Sequence, residues 1–192
     1  RPSVSTINFL AGQTIANHAT VPVDASGRAS YFNFTGSTHV VIDVVGYYSG
    51  GTLPRASRYT AAPATARLVD TRGVDGNAPK PLYSGESRLV EIAGLGGVPS
   101  NATAVVMNVT AVTPTRAGHL DVYPAGSPRP TTSNVNFPAG VNVPNLVTMP
   151  IGTGGDVYVY NSNGTTHLVV DVVGWYTPGD PSPGSRFNPV TP

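Results

Sequence analysis

The chain has no cysteine, so a disulfide framework, a thiol nucleophile and a cysteine-held zinc are all excluded. It has one lysine, Lys80, and its few charges balance to a net +1. That leaves no basic field for nucleic acid and no polybasic patch for an anionic membrane. No apolar run approaches the roughly 20 residues needed to cross a bilayer, and no secretory leader is visible. Catalytic signatures are missing too. Gly94-Leu-Gly-Gly97 does not match a phosphate loop, and no Gly-x-Ser-x-Gly elbow occurs. His18, His39, His119 and His167 lack zinc-type spacing. The expectation is a chain without catalytic activity, cofactor or transition metal.

What is abundant is Gly, Pro, Ala, Val, Thr, Ser and Asn, with few strong helix formers. Such a composition favours strands joined by turns. A weakly charged surface rich in Thr and Asn suits a secreted or wall-associated protein.

The chain also repeats itself at a fixed offset of 128 residues, residues 1–51 aligning without a gap on 129–179. Arg1-Pro2 returns as Arg129-Pro130, Asn8-Phe9 as Asn136-Phe137, and Ala11-Gly12 as Ala139-Gly140. His39-Val-Val-Ile-Asp43-Val-Val-Gly46-Tyr47-Tyr48 returns as His167-Leu-Val-Val-Asp171-Val-Val-Gly174-Trp175-Tyr176. Past the linker, Ser57-Arg58-Tyr59 returns as Ser185-Arg186-Phe187. A fixed period marks an array, and arrays serve binding, spacing or assembly more than chemistry. A period this long exceeds a solenoid turn, so each copy is expected to be a small domain. The expected division is 1–50 as the trailing half of one copy, 51–180 as a complete copy, and 181–192 as linker and start of another. The proline-rich stretch 177–184 makes the second linker a semi-rigid spacer.

Inside the complete copy, β-prone runs fall at 66–70, 87–92, 103–112, 119–123, 133–137, 145–151, 156–160 and 166–176. Turn residues separate them, and no stretch has helical period. The pattern predicts an all-β antiparallel sandwich or barrel of eight strands. Residues 1–48 carry counterparts of the last three or four of these strands. They need complementation, expected from strands outside the chain, because Val40-Val-Ile-Asp-Val-Val45 would otherwise present a bare apolar face. Other copies of the module, or other chains, are the expected partners.

Taken in order, several short motifs form a recognisable set. They are Arg67-Leu-Val-Asp70-Thr71-Arg72, Gly97-Val-Pro99, Asn108-Val-Thr110, Gly118-His-Leu120, Asn136-Phe137 and the His167 to Tyr176 run. The set resembles a tandem β-rich module of secreted actinobacterial surface proteins, found beside hydrolase or protease domains. The resemblance implies an extracellular accessory role without catalysis, and it carries no functional residues over.

Asp43 and Asp171 stand out, each a carboxylate among valines. Bare burial would cost several kcal/mol, so pairing is expected. One reading makes Asp171 an acid or metal ligand beside His167. The other is a structural ion pair, with Arg72 or Arg67 as the partner, and the return of the pair as Asp43 and His39 suits such a structural device. Asp70, Asp75 and Asn77 could offer oxygens to Ca²⁺, although the EF-hand order is missing and Asx turns explain them as well. Trp175, Tyr176, Tyr158 and Tyr160 could stack on sugar rings if exposed, or pack in the core. Three functions remain: a structural or adhesive module, a carbohydrate- or cell-wall-binding accessory of a secreted hydrolase, or a fragment of a hydrolase whose catalytic domain lies outside this sequence.

Overall fold

The computed structural model describes residues 5–49, 57–74, 78–179 and 186–189. These residues are all-β, with two antiparallel sheets and no α-helix among them. The strands are β1 (Gly46–Ser49), β2 (Ser57–Asp70), β3 (Ser87–Glu91), β4 (Ala104–Val112), β5 (Gly118–Pro124), β6 (Val135–Phe137), β7 (Val143–Pro150), β8 (Asp156–Asn161), β9 (His167–Pro178) and β10 (Arg186–Pro189). One sheet has the order β1-β10-β2-β9-β4-β7 and the other β3-β8-β5-β6.

The two sheets share one core. Alternation sends one face of each strand inward: Met107 and Val109 from β4 and Leu168 and Val170 from β9 meet Leu120 from β5 and Val157 from β8. A second, smaller cluster lies on the outer face of the six-stranded sheet, where Ala104 and Val106 pack with Tyr176. Edge strand β7 carries Pro144 and Pro150 at its ends, which blunts it against further pairing.

All eight runs read from the sequence of the complete copy are strands, and β2 extends back to Ser57. Strands β4 and β9 are neighbours, with Asn108 opposite Asp171. The first copy departs from expectation. Residues 5–45 form no strand, although the same pattern 128 positions later builds β6, β7, β8 and most of β9. Among the described residues, no second set of the strands that flank β7 and β9 accompanies this segment. In the complete copy β9 lies between β2 and β4, and β7 lies on β4. Val41 is accordingly 85% exposed, with Val40, Ile42 and Val44 also open. His18 is one anchor of the segment, its Nε2 lying 3.3 Å from Thr148 Oγ1 on β7, and burial lowers its pKa. In this segment only Gly46–Ser49 is a strand, and it pairs antiparallel with β10.

Candidate functional site

Three places on this scaffold gather polar or aromatic side chains. The first is the outer face of β5 and β8. Leu120 and Val122 point inward, so His119, Asp121 and Tyr123 point out, and Tyr158 and Tyr160 do the same on β8. The register sets Asp121 opposite Tyr160 and Tyr123 opposite Tyr158. The Tyr123 and Tyr158 rings stack at 5.5 Å with 28° between planes, and the Tyr123 hydroxyl bonds Ser87 Oγ at 2.8 Å. Arg129 returns from the turn after β5, donates from Nη1 to Asp121 Oδ2 at 2.6 Å, and lays its guanidinium 4.1 Å over the Tyr160 ring.

The Asp121 carboxylate is thus fully buried beneath its arginine. Its Oδ1 accepts no hydrogen bond among the described residues, although His119 Nε2 lies 3.3 Å away. Burial pushes the Asp121 pKa up, against the Arg129 hydrogen bond and the His119 charge. The arrangement stores one poorly solvated carboxylate and presents tyrosine edges. Arg129 already covers the Tyr160 face that a sugar ring would need.

The second place is where β2 leaves the sheet. Arg67 is opposite Asp171 in register and grips it twice, Nε to Oδ1 at 2.8 Å and Nη2 to Oδ2 at 3.2 Å. Arg67 Nη1 also reaches Asp70 Oδ2 at 3.0 Å. Arg72 pairs with Asp70 rather than Asp171, its Nε donating to Oδ1 at 2.8 Å. Hydrogen bonds from the Arg72 side chain, outweighing burial, hold the Asp70 carboxyl well below the usual range. Both oxygens of Asp70 are therefore committed to arginine, which disfavours a cation there. Asp75 and Asn77 lie outside the described residues. Among the described residues, no three His, Asp or Glu side chains gather as a metal would require. His167 turns away from Asp171 to bond the backbone of Thr71: Nδ1 donates to the carbonyl at 2.8 Å, while Thr71 Oγ1 accepts from the Leu168 amide at 2.8 Å. Asp43 and His39 sit exposed in the segment before β1 and build no comparable corner.

The third place is the seam where β1 and β10 meet β2. The hydroxyls of Tyr48 and Tyr176 share a hydrogen bond. Tyr59 lies against Tyr176 with ring centroids 5.2 Å apart, and Ser57 Oγ bonds Thr103 Oγ1 at 2.6 Å. Burial, then the bond from Tyr48, raises the Tyr176 pKa. Trp175 points the other way into the core, 8% exposed, with the edge of its ring near Gly97. Neither Trp175 nor Tyr176 offers a face for stacking; Tyr158 and Tyr160 remain half-buried on the outer surface.

Sequence reasoning missed Asp121, His119 and Arg129 as a group. The available signal was His119-x-Asp121-x-Tyr123 in period 2 facing Tyr158-x-Tyr160. The scaffold these sites stand on is a two-sheet, all-β domain. No family model matches the chain, and no curated protein matches it.

Proposed function

We propose that the chain is a non-catalytic stretch of a tandem array, in which β-modules of a secreted or cell-surface bacterial protein act as spacer, adhesive or assembly units. The observation that carries this reading is the six-stranded sheet. Its strands β1 and β10 lie beyond the two linkers and yet continue the sheet of the complete copy. Support comes also from the acidic groups, since Asp70, Asp171 and Asp121 are each engaged by an arginine. Their geometry fits bracing of strands better than proton transfer. The weakly charged, Thr- and Asn-rich composition and the resemblance to surface modules favour the extracellular setting.

The test is hydrogen exchange on the full chain. The amides of 46–49 and 186–188 are expected to be protected together, more slowly exchanging than those of 5–45. Coil-like exchange at 46–49, with β2 and β9 protected, would remove the basis for sheet continuation. A glycosidase, esterase and peptidase panel is expected to stay at background.

A second reading, a carbohydrate- or cell-wall-binding accessory module, rests on the outward placement of Tyr158 beside Tyr123. Titration with soluble cell-wall polysaccharide decides it: binding heat lost in Tyr158→Ala supports it, and no heat at all rejects it.

A further inference from the structure

The two strand pairs at the seam are the same object seen twice. Shifting residue numbers by 128 converts β1 into the end of β9 and β10 into the start of β2. Under that shift Gly46↔Pro189 becomes Gly174↔Ala61, and Tyr47↔Asn188 becomes Trp175↔Thr60. Tyr48↔Phe187 becomes Tyr176↔Tyr59, and Ser49↔Arg186 becomes Thr177↔Arg58. Every rung of the β1–β10 ribbon thus reproduces a rung of the ribbon by which the complete copy joins its last strand to its first.

Their placement side by side adds a symmetry. The order β1-β10-β2-β9 reads last, first, first, last. The joining rung sets Phe187 opposite Ser57, and the same antiparallel register continued by one step would set Arg186 opposite Arg58. Because 186 less 58 is 128, these two positions are equivalents facing each other. Tyr48 and Tyr176, whose hydroxyls bond over the seam, are also separated by 128. Equivalent residues that face their own counterparts mark a two-fold axis, the defining property of an isologous interface. Backbone register and side-chain contact report the same axis independently.

We infer that successive copies of the module in one chain join in pairs through this two-fold seam, first strand antiparallel to first strand; the inference rests on the array reading above. The partner is a second copy of the module. Its first strand takes the place of β10, and its last strand stands where β1 stands. The chain length between copies permits it. Seven residues, 50–56, separate β1 from β2. They can reach about 25 Å, against about 10 Å for two strand spacings. Without the neighbour, β2 would be an open edge with unpaired amides and carbonyls. Paired, it becomes an interior strand, and the hydroxyls of Tyr48 and Tyr176 meet across the axis.

Cysteine pairs in the full, otherwise cysteine-free chain test this directly, because opposed residues on adjacent strands lie within disulfide range. The variant Arg58→Cys with Arg186→Cys reads the axis, Ser49→Cys with Arg186→Cys the outer ribbon, and Arg58→Cys with Thr177→Cys the module's own ribbon. On mild oxidation all three are expected to give intramolecularly crosslinked monomers, by intact mass and non-reducing electrophoresis. If both ribbon pairs close and the axis pair stays reduced, the two-fold seam is overturned while the array reading stands. If only the Arg58/Thr177 pair closes, the array reading falls with it. A covalent dimer from the axis pair overturns the assignment to copies within one chain.

Discussion

Arg67 and Asp171, partners across the β2–β9 ladder, form a two-pronged ion pair in which the two members are unequally buried. The arginine side chain is 48% exposed and the aspartate 15%. Asp70, which shares the same guanidinium, is 6% exposed.

Removing the arginine is therefore expected to harm the fold more than removing Asp171. Arg67→Ala strands a shielded carboxylate and costs about 2 kcal/mol, whereas Asp171→Ala frees a cation that water can reach and costs about 1 kcal/mol. Urea unfolding of both variants checks the order, and a larger loss for Asp171→Ala would contradict it.

Asp70 and Asp121 are expected to push stability in opposite directions as pH changes. The Asp70 pKa is lowered on folding, so its contribution is present above the unfolded value near 4 and fades as acid protonates the folded group. The Asp121 pKa is raised, so its contribution is greatest below that unfolded value and is lost as pH rises through the folded value. Thermal melts between pH 2.5 and 7, about the range that spans carboxyl titration, provide the check. Asp70→Asn should fall progressively behind the parent chain as pH rises, and Asp121→Asn should gain on it.

Two glycines separate steric from conformational cost. Gly152 has an ordinary φ of −92°, but a Cβ there would meet the Ala125 backbone, its carbonyl carbon at 2.8 Å. Backbone cannot swing aside, so Gly152→Ala is expected to cost more than about 2 kcal/mol. Gly94 has φ +86° and open space around its missing Cβ, so Gly94→Ala should cost about 1 kcal/mol from backbone strain alone. Equal midpoints for the two variants would refute the distinction.

Trp175 is the sole tryptophan and gives a clean optical probe of the core. Its emission is expected to be blue-shifted and resistant to iodide, moving red in a single step on unfolding. Trp175→Phe should be tolerated within about 1–2 kcal/mol, while Trp175→Ala should cost about 3–5 kcal/mol through the cavity it leaves. Strong quenching of the native chain by iodide would place the ring at the surface instead.

The strands of the complete copy were legible because each alternates apolar and polar residues between turn-forming stretches, and their neighbours are all present. The His39 to Tyr48 run carries the same alternation as the His167 to Tyr176 run, yet residues before Gly46 stay outside any sheet. Pattern specifies a capacity to pair; partners decide whether it is used. Pairing for Asp171 was readable from its valine setting, but the choice of Arg67 over Arg72 follows from cross-strand register, with Arg67 directly opposite. The Asp121 cluster was hidden for a related reason. Arg129 reaches it only because the turn after β5 folds back over the outer face, a path that local spacing does not encode.

The last-first-first-last strand order has an arithmetical consequence for chains of different length. A two-fold joint of the proposed kind would use up both of the edges it joins, so copies would be consumed two at a time. Chains with an even number of modules would close every joint internally, whereas odd-numbered chains would keep one first strand in search of a mate. Parity of the repeat count, rather than its size, would then set whether such molecules stay single or couple end to end.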